Sequence, residues 1–252
     1  MSLDLTAIKA KLSQLNKTGT RQNNLWKPEP GKQVVRIVPY QHRKENPFLE
    51  MYFHYDIAKR SMLSPITFGN SDPVVEFAEK LKKTGDKDEW LMGRKIEPKM
   101  RTYVPVIVRG KESEGPKFWG FGKTIYAELL SIISDPDYGD ITDLMNGRDI
   151  DVEFTPAEGG GYPKTSIRVK PNTSAATEDK DVAKKIMNQP KITDIFPEPT
   201  YEELENALKE WMNPEGADSD VTTTEKPATA TADSKTEQKA DVSAAFDDLF
   251  NS

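Results

Sequence analysis

The spacing of apolar residues changes period several times along the chain. Leu5, Ile8, Leu12 and Leu15 recur every three or four residues, with Lys9 and Lys11 off that line. Such spacing predicts an amphipathic helix with a narrow apolar stripe, docked either on its own core or on a neighbouring molecule. From Leu25 onward the period falls to two. Residues 33–38 are rich in β-branched side chains and stop at Pro39. In residues 48–55, Leu49, Met51, Phe53 and Tyr55 share one face, and Glu50, Tyr52 and His54 share the other. Both read as strands. Residues 101–109 and 117–121 flank a turn region at 110–116, and residues 150–154 and 165–169 flank Gly159-Gly160-Gly161. Each pair reads as a hairpin.

Helical spacing returns between the strands. Asp72 followed by Pro73 is a capping side chain before a proline at the first helical position, and Val74, Phe77, Ala78 and Leu81 form the inward stripe. Residues 123–133 place Ile125, Leu129 and Ile132 in register. Thr200 and Glu203 have capping-box spacing ahead of Tyr201, Leu204, Leu208 and Trp211, all expected inward. Paired short strands with helices between them predict an α+β fold. The expected form is an OB-like small β-barrel core with helical insertions, an N-terminal helix and a disordered acidic C-terminal tail. Spacing alone also fits another α+β fold. The expected divisions are 1–20 for self-association, 21–213 for the core and 214–252 for the tail.

Composition narrows the chemistry. The net charge of −6 is unevenly spread. Residues 17–123 carry 21 Lys+Arg against 13 Asp+Glu, residues 124–214 carry 9 against 18, and residues 215–252 carry 3 against 9. A locally basic stretch in an acidic chain is the electrostatic footprint expected of a polyanion site. The tail, rich in Thr, Ala, Asp, Glu, Lys and Ser, lacks the apolar surface needed to offset its ordering entropy. There is no cysteine, which removes disulfides, thiolate catalysis and thiolate zinc sites. No apolar run approaches the 18 or so residues of a membrane helix, and no membrane partner is expected. The cytoplasm is the expected location, that of a host cell if the chain is viral.

Nothing in the chain reads as an enzyme. His42 and His54 are the whole imidazole supply, and no nucleophile-elbow pattern accompanies them. Gly159–Gly161 lies between strands, so it reads as a turn and not as a phosphate loop. Asp135, Asp137 and Asp140 lack the glycine and glutamate of a calcium loop. No cofactor and no metal are expected. Residues 94–123, in contrast, interleave cations with aromatic rings, as single-strand binding requires. Lys99, Arg101, Arg109, Lys117 and Lys123 are the candidate phosphate contacts there, and Tyr103 and Trp119 the candidate stacking rings. If Phe118 packs the core, strand alternation puts Trp119 outside. The alternative is a half-buried hairpin with core aromatics and solvated lysines.

Several segments in order carry a family resemblance. They are Trp26-Lys27 followed by residues 31–39, Pro47-Phe48 leading to His54, and residues 72–77. Residues 99–109 then lead to Phe118-Trp119-Gly120-Phe121-Gly122-Lys123, and Asp247-Asp248-Leu249 lies near the end. In this order the chain resembles the single-stranded-DNA-binding, helix-destabilising proteins of T-even-type bacteriophages. The resemblance implies an OB-like core holding single-stranded DNA in a basic, aromatic-lined cleft. It places Trp119 at a stacking position, Tyr103 in the strand bordering the cleft, and Lys99, Arg101, Lys117 and Lys123 among the basic residues. It implies head-to-tail association of the protein with itself along the strand through the N-terminal segment, here Leu5, Ile8, Lys9 and Leu12. It also implies contacts with replication, recombination and repair proteins through the acidic tail, here Phe246, Asp247, Asp248, Leu249 and Phe250.

The chain departs from that pattern in three places. The T-even zinc is held by one His and three Cys. Here His54 remains, but the Cys-Pro-x-Cys element reads Asp72-Pro73-Val74-Val75. No zinc is expected, and packing around Phe53, Phe68, Val74 and Phe77 is expected to hold that region instead. The basic motif Lys-Arg-Lys-Ser-Thr is absent near the N-terminus, and residues 172–181 contain no aromatic. The function expected is sequence-independent binding that coats and protects single-stranded DNA during viral replication, recombination and repair. The alternative from another class is an acidic-tailed interaction scaffold or assembly chaperone.

Overall fold

The computed structural model describes residues 24–43, 45–58 and 60–212. The expected N-terminal helix with Leu5, Ile8, Lys9 and Leu12, and the tail tip at 246–250, lie outside the described residues. In chain order the strands are β1 (Leu25–Trp26), β2 (Gly31–Ile37), β3 (Leu49–His54), β4 (Met62–Leu63), β5 (Lys99–Val108), β6 (Lys117–Phe121), β7 (Arg148–Thr155) and β8 (Lys164–Thr173). The helices are α1 (Pro73–Lys83), α2 (Lys87–Ile96), α3 (Lys123–Ser134), α4 (Lys180–Met187), α5 (Ile192–Ile195) and α6 (Tyr201–Met212). The chain divides into two compact units, Met1–Met51 with Met100–Pro197 and Tyr52–Lys99 with Glu198–Ser252.

In the first unit the strand order is β1-β6-β5-β2-β7-β8, antiparallel except for the parallel β1–β6 pair. Both expected hairpins form. The class is α+β as expected; where the sequence suggested an OB-like small barrel, the sheet is not closed, with β1 and β8 at the ends of this path. Strand β5 shows why its sequence is almost continuously apolar. Val104, Val106 and Val108 join a large cluster with Val35, Ile37, Trp119, Phe121, Leu129 and Ile150, while Ile107 joins Val38, Ala176, Val182 and Ile186 in another. Because both faces are covered, alternation gives way to a run.

A buried arginine, Arg36, and a half-buried one, Arg109, pair beside this sheet. Arg36 on β2 and Arg109 after β5 share the Asp149 carboxylate, Arg36 Nε at 3.1 Å and Arg109 Nη2 at 2.9 Å. The remaining guanidinium donors reach carbonyls of Ser174, Ala175 and Ala176 at 2.8–2.9 Å. Burial lowers the Arg36 pKa from its usual value, and the Arg109 charge acts in the same direction, against the raising effect of Asp149.

The second unit packs helices against the end of β3 and β4. Asp72 caps α1 as its sequence predicts, accepting from the N–H of Val74 at 2.9 Å and of Val75 at 3.3 Å. Its core joins Val74, Phe77, Ala78 and Leu81 of α1, Ile96 of α2, Ile57, and Leu204 and Leu208 of α6. Helix α2 approaches α1 at Gly93, where a Cβ would lie 2.8 Å from the Ala78 carbonyl oxygen. The α6 capping box closes reciprocally. Glu203 N–H donates to Thr200 Oγ1 at 3.1 Å, and Thr200 N–H donates to Glu203 Oε2 at 2.9 Å. Two packing expectations fail here. Phe68 is 41% exposed at the end of a short 3₁₀ turn, and Tyr201 points outward to donate to Glu76 at 2.9 Å. Ile57 and the α6 leucines fill the core instead.

Candidate nucleic-acid interface

The first unit contains a cleft of about 520 Å³, formed where β1, β6, the start of β5 and the β7–β8 hairpin meet. Four strands, β1, β5, β6 and β7, supply its aromatic lining. Parallel pairing sets Trp26 beside Trp119, with ring centroids 5.6 Å apart edge to face. Trp119 also meets Phe121 edge to face at 4.7 Å. Across the β5–β6 pair Tyr103 faces Gly120, and its ring lies where a Cβ on Gly120 would come within 2.6 Å of it. The glycine is therefore what lets the Tyr103 ring lie over β6, where it tilts against Phe196 at 4.9 Å. Phe154, at the end of β7, completes the aromatic lining.

Cations stand at the rim. Lys27 and Arg101 both line the cleft and are both exposed. Gly122, also in the lining, is the N-cap of α3 and carries no capping side chain, so first-turn amides are left to solvent or an anion. Lys123, the first residue of that helix, is exposed. A concave surface with aromatic walls, peripheral cations and open amides suits bases inside and phosphates outside.

The predicted site residues divide by environment. Arg101, Tyr103 and Trp119 share the cleft. Trp119, however, does not project outward as alternation suggested: it is 1% exposed, and so is a floor and not a free platform. Strand β6 lies between β1 and β5, and its Phe118 packs on Tyr40 at 5.8 Å while Trp119 packs on the other side, so both faces of the strand are covered. Arg109 is committed to Asp149 and two carbonyls, which makes it a structural arginine and not a phosphate contact. Lys117 is half-buried and paired with Glu114, whose carboxyl is held below the usual range chiefly by that lysine. Lys99 is exposed, belongs to the second unit and pairs with Asp56 at 3.5 Å.

Some aromatic and basic positions lie outside the expected set. Lys27 follows Trp26 directly, a cation beside a ring that the local sequence displays. Phe154 is recognisable only once β7 is placed. The second unit carries a further exposed aromatic, Trp90 on α2, 44% exposed with the Arg94 guanidinium 5.4 Å from its ring and Lys87 and Lys95 exposed on the same helix. Asp86, which caps α2 with Glu89 three residues on, was the available signal for that helix.

The second unit also contains the one residue matching the family's metal ligands. His54 is fully buried, with Nδ1 2.9 Å from the Ile96 carbonyl oxygen and Nε2 2.9 Å from Asp72 Oδ2. Ser64 Oγ donates to the same carboxylate oxygen. Both ring nitrogens are thus engaged by protein acceptors, and no thiolate exists in the chain. These residues do not fit a zinc centre of the His-Cys type. Asp72 joins strand, helix and loop in its place. Burial on its own would raise this carboxyl, but the His54 hydrogen bond and charge, with Ser64 and the Val75 N–H, bring it below the usual carboxylate value.

No curated protein sequence matches the chain. A family description does match: gp32 DNA binding protein like, over residues 29–213. That span takes in β2 through α6 and most of the cleft lining, although Trp26 and Lys27 precede it. With most of its length matched, the chain belongs to the gp32-like family of single-stranded-DNA-binding proteins.

Proposed function

We propose that this protein coats single-stranded DNA without regard to sequence and protects it during replication, recombination and repair of a viral genome, with no catalytic step of its own. The observation that carries this reading is the cleft of the first unit, aromatic within and cationic at its rim. The lining rings, Tyr103 and Phe154 foremost because they are only half-buried, stack bases at roughly 1–3 kcal/mol each. Lys27, Arg101 and Lys123 follow the phosphates. On the second unit Trp90 beside Arg94 offers the same pairing of ring and cation. The core reads as OB-like in its use, the N-terminal segment joins neighbouring copies, and the acidic tail competes for the basic cleft and recruits replication and recombination proteins. Its site of action is the cytoplasm of the host.

Fluorescence anisotropy with a labelled single strand and the same sequence as duplex, across a salt series, tests this. The expected result is tight, salt-sensitive binding to the single strand and weak binding to the duplex. Each phosphate contact contributes about −0.7 to the log–log salt slope on single strands. Arg101→Ala and Lys27→Ala are each expected to flatten the slope by about that amount. Equal affinity for single strand and duplex, or none at low salt, would remove the proposal.

A further inference from the structure

Tyr162 is 94% exposed, whereas the other exposed large apolar side chains among the described residues reach at most 68%. No hydrogen bond or ring contact holds its side chain among the described residues. A ring left so open gains nothing for the fold, and its position is specific. It lies in the turn of the β7–β8 hairpin, just beyond the last paired rungs Thr155↔Lys164 and Phe154↔Thr165. Its neighbour Pro163, together with Thr165 and Phe154, lines the cleft. The tyrosine therefore stands one residue from the wall of the aromatic site.

The flanking backbone is unequal in stiffness. On one side Pro163 restricts Tyr162 to extended conformations and ties it to β8. On the other, Gly159 and Gly160 hold φ of 57° and 84°, and the Gly161 N–H closes a turn on the Glu158 carbonyl at 2.9 Å. Three successive glycines let the turn swing at small conformational cost while the proline side stays anchored. Lys164, exposed and next along the strand, brings a cation to the same place.

We infer that Tyr162 is an aromatic finger at the cleft mouth that stacks on one unpaired nucleobase of the bound strand. This rests on the DNA-binding reading above and adds to it a source of strand discrimination. In a duplex both faces of an interior base are already stacked, so the finger finds no partner there. Its contribution carries no charge, so it is independent of salt.

The test uses the full chain, a labelled oligo(dT) and the corresponding duplex. Tyr162→Ala is expected to weaken single-strand binding roughly five- to a hundredfold, the range that one stacked base supplies. The salt slope, duplex affinity and melting temperature are expected to stay unchanged, and Tyr162→Phe to bind within about twofold of the wild type. Wild-type affinity in Tyr162→Ala would overturn the finger and leave the DNA-binding reading standing. So would an equal loss in Phe and Ala, which would assign the effect to the hydroxyl, or a lowered melting temperature, which would assign the ring to the fold. A wild-type chain that ignores oligo(dT) would remove both.

Discussion

Trp119→Ala is expected to lower the unfolding free energy by about 3–5 kcal/mol, the cost of truncating a fully buried large aromatic. The indole is wedged between Trp26 and Phe121 and pairs across the sheet with Val104. Its removal leaves a void between β1 and β5, two strands held in the sheet with little freedom to collapse inward. Urea unfolding followed by tryptophan fluorescence and circular dichroism measures the change. The midpoint should fall while the slope is retained, because the surface exposed on unfolding hardly changes. DNA affinity should also fall, since the cleft loses its floor, but only together with stability. Lost binding with a stability change below about 1 kcal/mol, the range of ordinary surface substitutions, would mean that the ring faces the DNA directly.

Asp72→Ala is expected to cost a similar amount, about 3–5 kcal/mol, in the second unit. One carboxylate serves four donors: His54 Nε2, Ser64 Oγ and the N–H groups of Val74 and Val75. Alanine leaves the buried imidazole and hydroxyl without an acceptor and uncaps α1. Native-state hydrogen exchange should show faster opening in residues 52–99 and 198–212 than in the sheet of the first unit. Uniform exchange through both units would overturn the assignment.

The same residue sets an acid limit. Its pKa is lower in the folded chain than the roughly 3.9 of an unfolded aspartate. The unfolded chain therefore takes up the proton first as pH falls. The stabilisation is complete above that unfolded value and is lost as pH falls through the depressed native one. Between pH 5 and 7 Asp72 should contribute no slope to stability. Below about pH 4 the wild type should lose stability more steeply than Asp72→Ala, and parallel curves would exclude Asp72 as the cause.

Local chemistry was readable where it is self-contained. Asp72-Pro73 and Thr200 with Glu203 identify their helix starts because cap donors and acceptors lie within three residues. Helix α2 was missed because its inward face carries Glu89 and Gly93 beside Ile96, so no apolar stripe marks it. The glycine is there for close approach to Ala78, a fact of packing and not of period. Trp119 lies on the face of β6 opposite Phe118, as alternation predicts, but that face is covered too, because alternation separates faces and leaves open whether either is wet. Arg109 resembled a phosphate ligand because its true partner, Asp149, is 40 residues away along the chain. Arg101 and Tyr103 both line the cleft, and Phe154 joins them by a hairpin whose register the sequence does not display.

The discontinuous make-up of the second unit has a consequence for biosynthesis. Val74, Phe77 and Leu81 leave the ribosome well before Leu204 and Leu208, which complete their cluster, because Met100–Pro197 must be made in between. At about 5–20 residues per second, those 98 residues take roughly 5–20 s. For that interval one side of a hydrophobic core is made and uncovered, and chaperones or a nearby nascent chain can reach it. The unit begun early is sealed only by α6, the last described element of the matched domain to emerge.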